Sequence, residues 1–165
     1  MGHNVVNQLA EWPTGGSGIR VHVKGTAAPV IEVHTPTTGT TALTTAQVDD
    51  CKADAATGGT AWDNWVSAEL GYVPATESAN LRTSVLAMDD FPSGTGTMRL
   101  RLHYGVGGYD DVAAVDAVDW SAMAADASTG GATWSTWLDN NVSLPNRSSA
   151  ADAELAVCVV AAKDF

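Results

Sequence analysis

One stretch of this chain occurs twice. Ala53 to Trp65 (ADAATGGTAWDNW) returns 72 positions later as Ala125 to Trp137 (ADASTGGATWSTW), with eight of 13 aligned positions identical. Both glycines and both tryptophans are among the identities. The echo continues in Val85 to Phe91 against Val159 to Phe165, and upstream in Ile19 to Gly25 against Met98 to Gly105. A fold for this chain must therefore place one small unit of about 70 residues twice. A unit of that size buries only a thin core alone, so the two copies are expected to share one. The expected division is an N-terminal arm over residues 1–18, a first repeat over 19–91, a linker over 92–97 and a second repeat over 98–165.

Hydropathy periods set the expected elements. Ile19, Val21 and Val23 alternate with Arg20, His22 and Lys24, and residues 98–104 do the same with Arg99, Arg101 and His103 outward; period two marks half-buried strands. A second strand is expected over Val30 to Thr35, with a counterpart at Val112 to Val115. Through Thr57-Gly58-Gly59 the apolar phase of a helix continues without a break: Val48, Cys51, Ala55, Gly58, Trp62, Trp65. In the second copy it runs Trp120, Met123, Ala127, Gly130, Trp134, Trp137. Steps of three and four predict one long helix per unit, over roughly 45–69 and 118–141. Gly58 and Gly130 would then be points where the two helices pack closely, with Trp62, Trp65, Trp134 and Trp137 filling the adjacent layer. The competing reading is two short helices with a turn at Thr57-Gly58-Gly59. Leu81 to Met88 and Leu155 to Ala162 are apolar on both faces and predict a central strand closing each unit. The expected fold is α+β: tandem ββαβ repeats packed as a pseudo-two-fold single domain, its sheet covered by two long helices.

Composition narrows the function. The net charge is −11, which argues against direct binding to nucleic acid or an anionic membrane, since both demand a cationic surface. No apolar run is long enough to cross a bilayer, and no signal-peptide pattern opens the chain. Cys51 and Cys158 have no metal-like spacing and read as buried thiols, with a bridge between repeats as the alternative.

The chemical motifs of enzymes are missing from the sequence: no nucleophile elbow, zinc-protease helix, phosphate-binding lysine loop or dinucleotide glycine pattern is present. His22, His34 and His103 share strand faces with cationic residues, which disfavours a metal cluster there. The paired acids Asp49-Asp50, Asp89-Asp90 and Asp110-Asp111 point apart in regular structure and make poor dyads. No catalytic, cofactor or metal residue is therefore expected. The residues expected at an interface are Trp12, beside Pro13 in the arm, and Arg20, Lys24, Arg99 and Arg101. Those four cations are half of the eight Lys and Arg in the chain. They would form a basic strand face on an acidic protein, unless nearby acids such as Glu32 neutralise them internally.

The order of strand, strand, Trp-bearing helix and Ser/Thr-introduced apolar strand resembles small virion proteins of tailed bacteriophages, especially those of high-GC actinobacteria. The residues carrying the resemblance are Arg20 to Lys24, Ala61 to Trp65 and Leu81 to Leu86, with echoes at 99–103, 133–137 and 155–160. It implies a non-enzymatic component of the virion, made in the host cytoplasm. Decoration or cementing of the capsid comes first, and a tail or head-tail connector role second. The implied partners are major capsid or tail subunits and further copies of the chain. A module binding a carbohydrate or other small ligand is the alternative, and it would require exposed tryptophans.

Overall fold

The computed structural model describes residues 7–24, 27–104, 111–144 and 147–165. Four strands open the chain: β1 (Asn7–Thr14), β2 (Ser17–Lys24), β3 (Val30–Thr35) and β4 (Gly39–Ala42). Three helices follow, α1 (Thr45–Thr57), α2 (Thr60–Glu69) and α3 (Ala75–Asp89). The second half repeats this in shorter form with β5 (Arg99–Tyr104), β6 (Asp111–Asp116), a 3-10 turn at Ala117–Asp119, α4 (Trp120–Thr129), α5 (Gly131–Asn141) and α6 (Ser149–Lys163). All six strands form one antiparallel sheet in the order β4-β3-β2-β1-β5-β6.

The arm expected over residues 1–18 is in fact the middle of this sheet, as far as it is described. β1 pairs with β2 along its whole length through the Gly15-Gly16 turn, and with β5 on its other side. Both turn glycines have positive φ, 54° and 83°, which is the backbone that a two-residue hairpin requires. Trp12 is fully buried, with its ring edge-on to Phe91 and Trp120 at centroid distances of 5.4 and 6.3 Å. Residues 1–6 lie outside the described residues. The run Pro92–Thr97 joins the halves without helix or strand.

Each expected long helix is two helices, because the glycine pair breaks it. Gly58 caps α1 with φ 71° and ψ −168°, and Gly130 caps α4 with φ 72° and ψ −166°. Only glycine reaches that backbone region cheaply. Apolar phase survives the break because the second helix folds back onto the same core, so periodicity alone could not reveal the turn. The glycines are consequently not where two helices cross. Gly58 instead lies under the Arg82 guanidinium, whose Nε donates to the Ala55 carbonyl at 2.7 Å.

The closing strands are also corrected. Residues 81–88 belong to α3 and residues 155–162 to α6. A short apolar run fits a helix lying on the core as well as a central strand, and length decides between them. Each helix has 15 residues. α3 packs across β2 and β1, and α6 packs beside it on β1 and β2, so these two helices meet the sheet directly.

Unit one is therefore built from three strands and three helices, and unit two from a strand pair and three helices. The pseudo-two-fold arrangement does not hold for the strands. β2 and β5 both run antiparallel to β1, so they are parallel to each other. Both also bury the same side, Ile19 and Val21 with Leu100 and Leu102. A two-fold axis would reverse either strand direction or face; a shift across the sheet preserves both. One hydrophobic cluster spans both halves, from Val33 and Leu43 to Leu155 and Val159.

Candidate functional site

The sheet has two unlike faces. One carries Val33, Ile19, Val21, Ala10, Trp12, Leu100, Leu102 and Val115 into the helices. The other carries the charged residues, and the strand registers place four of them in a row. Glu32 of β3 pairs with Arg20 of β2, which pairs with Glu11 of β1, which pairs with Arg101 of β5. Charge therefore alternates in sign across four strands, and cross-strand opposite charges are the favourable arrangement.

Glu11 is the hub of this row. Its Oε1 lies 2.8 Å from His103 Nε2 and 4.0 Å from an Arg101 nitrogen, and its Oε2 lies 3.7 Å from Arg20 Nε. Burial pushes the Glu11 carboxyl up, but the hydrogen bond and charge of His103, with Arg20 and Arg101, outweigh it and hold the group below its ordinary value. Glu32 lies 3.1 Å from His22 Nδ1. His34 Nδ1 approaches the Gly16 carbonyl at 3.1 Å. At the rim, Arg99 Nε contacts Asp116 at 2.7 Å.

Of the residues expected at an interface, Trp12 is withdrawn, because a fully buried core tryptophan reaches no partner. Arg20 lies low in the sheet face beside Glu11. Arg99 and Arg101 stay exposed, their side chains 63% and 52% accessible, each with an acidic partner in the same chain. The backbone of Lys24 ends β2; its side chain lies outside the described residues. The sequence suggested Glu32 as the neutralising acid, whereas Glu11 takes most of that role. Glu11 was hidden because it sits in the segment read as an arm. Its one signal was alternation, Leu9 and Glu11 against Ala10 and Trp12.

The tryptophan pairs do belong to the core. Trp62 and Trp65 stack at 5.2 Å with 15° between planes, and Trp134 and Trp137 at 5.4 Å with 5°. Each pair uses its faces on itself and is buried, so neither offers a platform to a sugar ring. Trp62 Nε1 donates to the Ser78 carbonyl at 3.1 Å, and Trp134 Nε1 to the Asp152 carbonyl at 2.7 Å. Each indole thus ties the second helix of its unit to the third. Unit two adds a polar clasp: Arg147 Nε contacts Asp152 at 3.0 Å, and Ser135 donates to the same carboxylate at 3.1 Å.

Cys51 and Cys158 are buried and unbridged. Burial, helped by Asp54, pushes the Cys51 thiol up to about 12, and burial raises Cys158 further; such thiols are poor nucleophiles. Among the described residues no group of three His, Cys, Asp or Glu is placed to hold a metal ion, and no helix is long and apolar enough to cross a membrane. An open groove of about 600 Å³ runs along Pro92–Thr97, Arg99, Asp116 and Val118. The chain matches no protein-family model, no curated protein and no solved structure.

Proposed function

We propose that this chain is a non-enzymatic structural protein of a virion, first of all a capsid decoration or cement protein, with a tail or head-tail connector role second. The observation that carries the reading is a sheet with one face on the helices and the other a rigid array of charged side chains. Such a face suits recognition by charge pattern. Arg99 and Arg101 are the parts of that array most available to a neighbouring subunit. The partners that fit are acidic surfaces of capsid or tail subunits.

The gene's surroundings and the particle itself test the proposal. Portal or major capsid genes beside this one, with peptides of the chain in purified particles, are expected. A locus without virion genes and particles without the chain would overturn it. Reversing Arg99 and Arg101 to glutamate should abolish particle association while leaving the fold intact; particles that still take up the variant would rule out the basic strand face as the contact.

A further inference from the structure

The two units differ at one place that matters for assembly. In unit one, β3 does not form the edge of the sheet, because β4 covers it with an antiparallel ladder from Glu32↔Ala42 to Thr35↔Gly39. In unit two, β6 holds the corresponding position, hydrogen-bonded to its hairpin partner on one side. Among the described residues no counterpart of β4 exists there. The chain runs 28 residues from Gly25 to Ala53 in unit one, and only 20 from Gly105 to Ala125 in unit two. β6 passes straight into the 3-10 turn and α4. Among the described residues nothing pairs with its outer side, and the sheet ends on it.

β6 also lacks the usual protection of an edge strand. Such strands are commonly short, kinked, or marked by Lys or Pro. β6 has six residues, its middle is Val112-Ala-Ala-Val115, and Val112 and Ala114 are exposed. Its terminal Asp116 stays exposed and is paired with Arg99 of β5. β4, the opposite edge, has four residues and begins at Gly39 with φ 73°.

We propose that the missing third strand of unit two is supplied by β6 of a second copy, giving a dimer with a continuous twelve-stranded sheet. A two-fold axis normal to the sheet pairs residues of the same face, so the register centres on a residue rather than a bond. Centred on Ala114, it sets Ala114 opposite its own copy, Ala113 opposite Val115, and Val112 opposite Asp116. The buried row through Val21, Ala10, Leu102 and Ala113 then continues into an apolar residue of the second copy. No two like charges face each other directly. The needed occupant is an antiparallel strand with an uncharged middle and an open edge of its own, and β6 meets each condition.

Sedimentation equilibrium of the whole chain from micromolar to submillimolar concentration tests this. The expected species is a dimer, at twice 17.0 kDa. Ala114 is exposed, so Ala114→Asp and Ala114→Lys should fold with unchanged near-UV circular dichroism. Each variant alone opposes like charges across the axis and should sediment as a monomer; the two mixed should recover the dimer. A wild type that stays monomeric throughout, variants that dimerise like the wild type, or an open-ended series from β6-to-β4 pairing would each overturn the proposal. The inference does not rest on the virion reading: a dimeric chain absent from particles leaves it standing, and a monomeric chain found in particles removes it alone.

Discussion

Gly58 and Gly130 occupy equivalent positions in the two units, with backbone angles within 2° of each other. Their surroundings differ. A Cβ on Gly58 would lie 2.6 Å from an Arg82 guanidinium nitrogen, whereas on Gly130 the nearest atom is the Ala127 carbonyl oxygen at 4.0 Å. Gly130→Ala therefore isolates the cost of the backbone angle, about 1–3 kcal/mol. Gly58→Ala should cost more, because Arg82 must also release the Ala55 carbonyl. Urea unfolding of the two variants side by side checks the order; equal losses would mean that Arg82 contributes nothing. Gly94 is a third close approach, since a Cβ there would sit 2.7 Å from the buried Trp120 ring. These constraints were legible in part. The sequence marked Gly58 and Gly130 as special, but their reason is the turn between helices and not the approach of a second helix.

At the scale of elements, the helix trios are held by the indole hydrogen bonds of Trp62 and Trp134. Phenylalanine keeps most of the apolar area and removes the donor, leaving a buried carbonyl short of a partner. Trp134→Phe should cost about 1–3 kcal/mol, read as a lowered urea midpoint. Trp62→Phe should fall in the same range and also strand the Ser78 hydroxyl, 3.0 Å from the indole nitrogen. The strand face carries a pH signature. Glu11 has a folded value below its ordinary 4.5, so the unfolded chain takes up its proton first on acidification. Its contribution is complete above about pH 4.5 and is lost as pH falls through the lower folded value. Stability measured by urea unfolding between roughly pH 3 and 6 should drop at the acid end, and Glu11→Gln should flatten that limb. An unchanged slope would show that the ladder's hub is not Glu11. Strands β2, β3, β5 and β6 were legible because one face of each is buried and the other wet. α3 and α6 were not, because Ser78 and Ser84 lie on the buried stripe of α3 while Val157 is exposed on the outer side of α6, which blurs the contrast that periodicity needs.

The whole molecule depends on β1. It separates β2 from β5, and without it the two units would share no hydrogen-bonded ladder. Removing residues 1–14 should therefore unfold the chain, seen as loss of cooperative thermal melting and of near-UV circular dichroism. A truncated chain that still melts cooperatively would restore the segment to the status of an arm. β1 was missed because the sequence repeat does not contain it. A strand used once, between two copies of a unit, has no echo to announce it, and the Trp-Pro near its end and the Gly-Gly after it read as a flexible tether. By itself the sequence determined the duplication, the alternating strands, the tryptophan core and the shared interior, since these follow from local period and from how little a unit of 70 residues can bury alone. Tertiary structure decided where each helix turns, which apolar segments are helices, and where β1 inserts. Those outcomes depend on which surfaces meet across the core, a long-range packing energy that local periodicity does not carry.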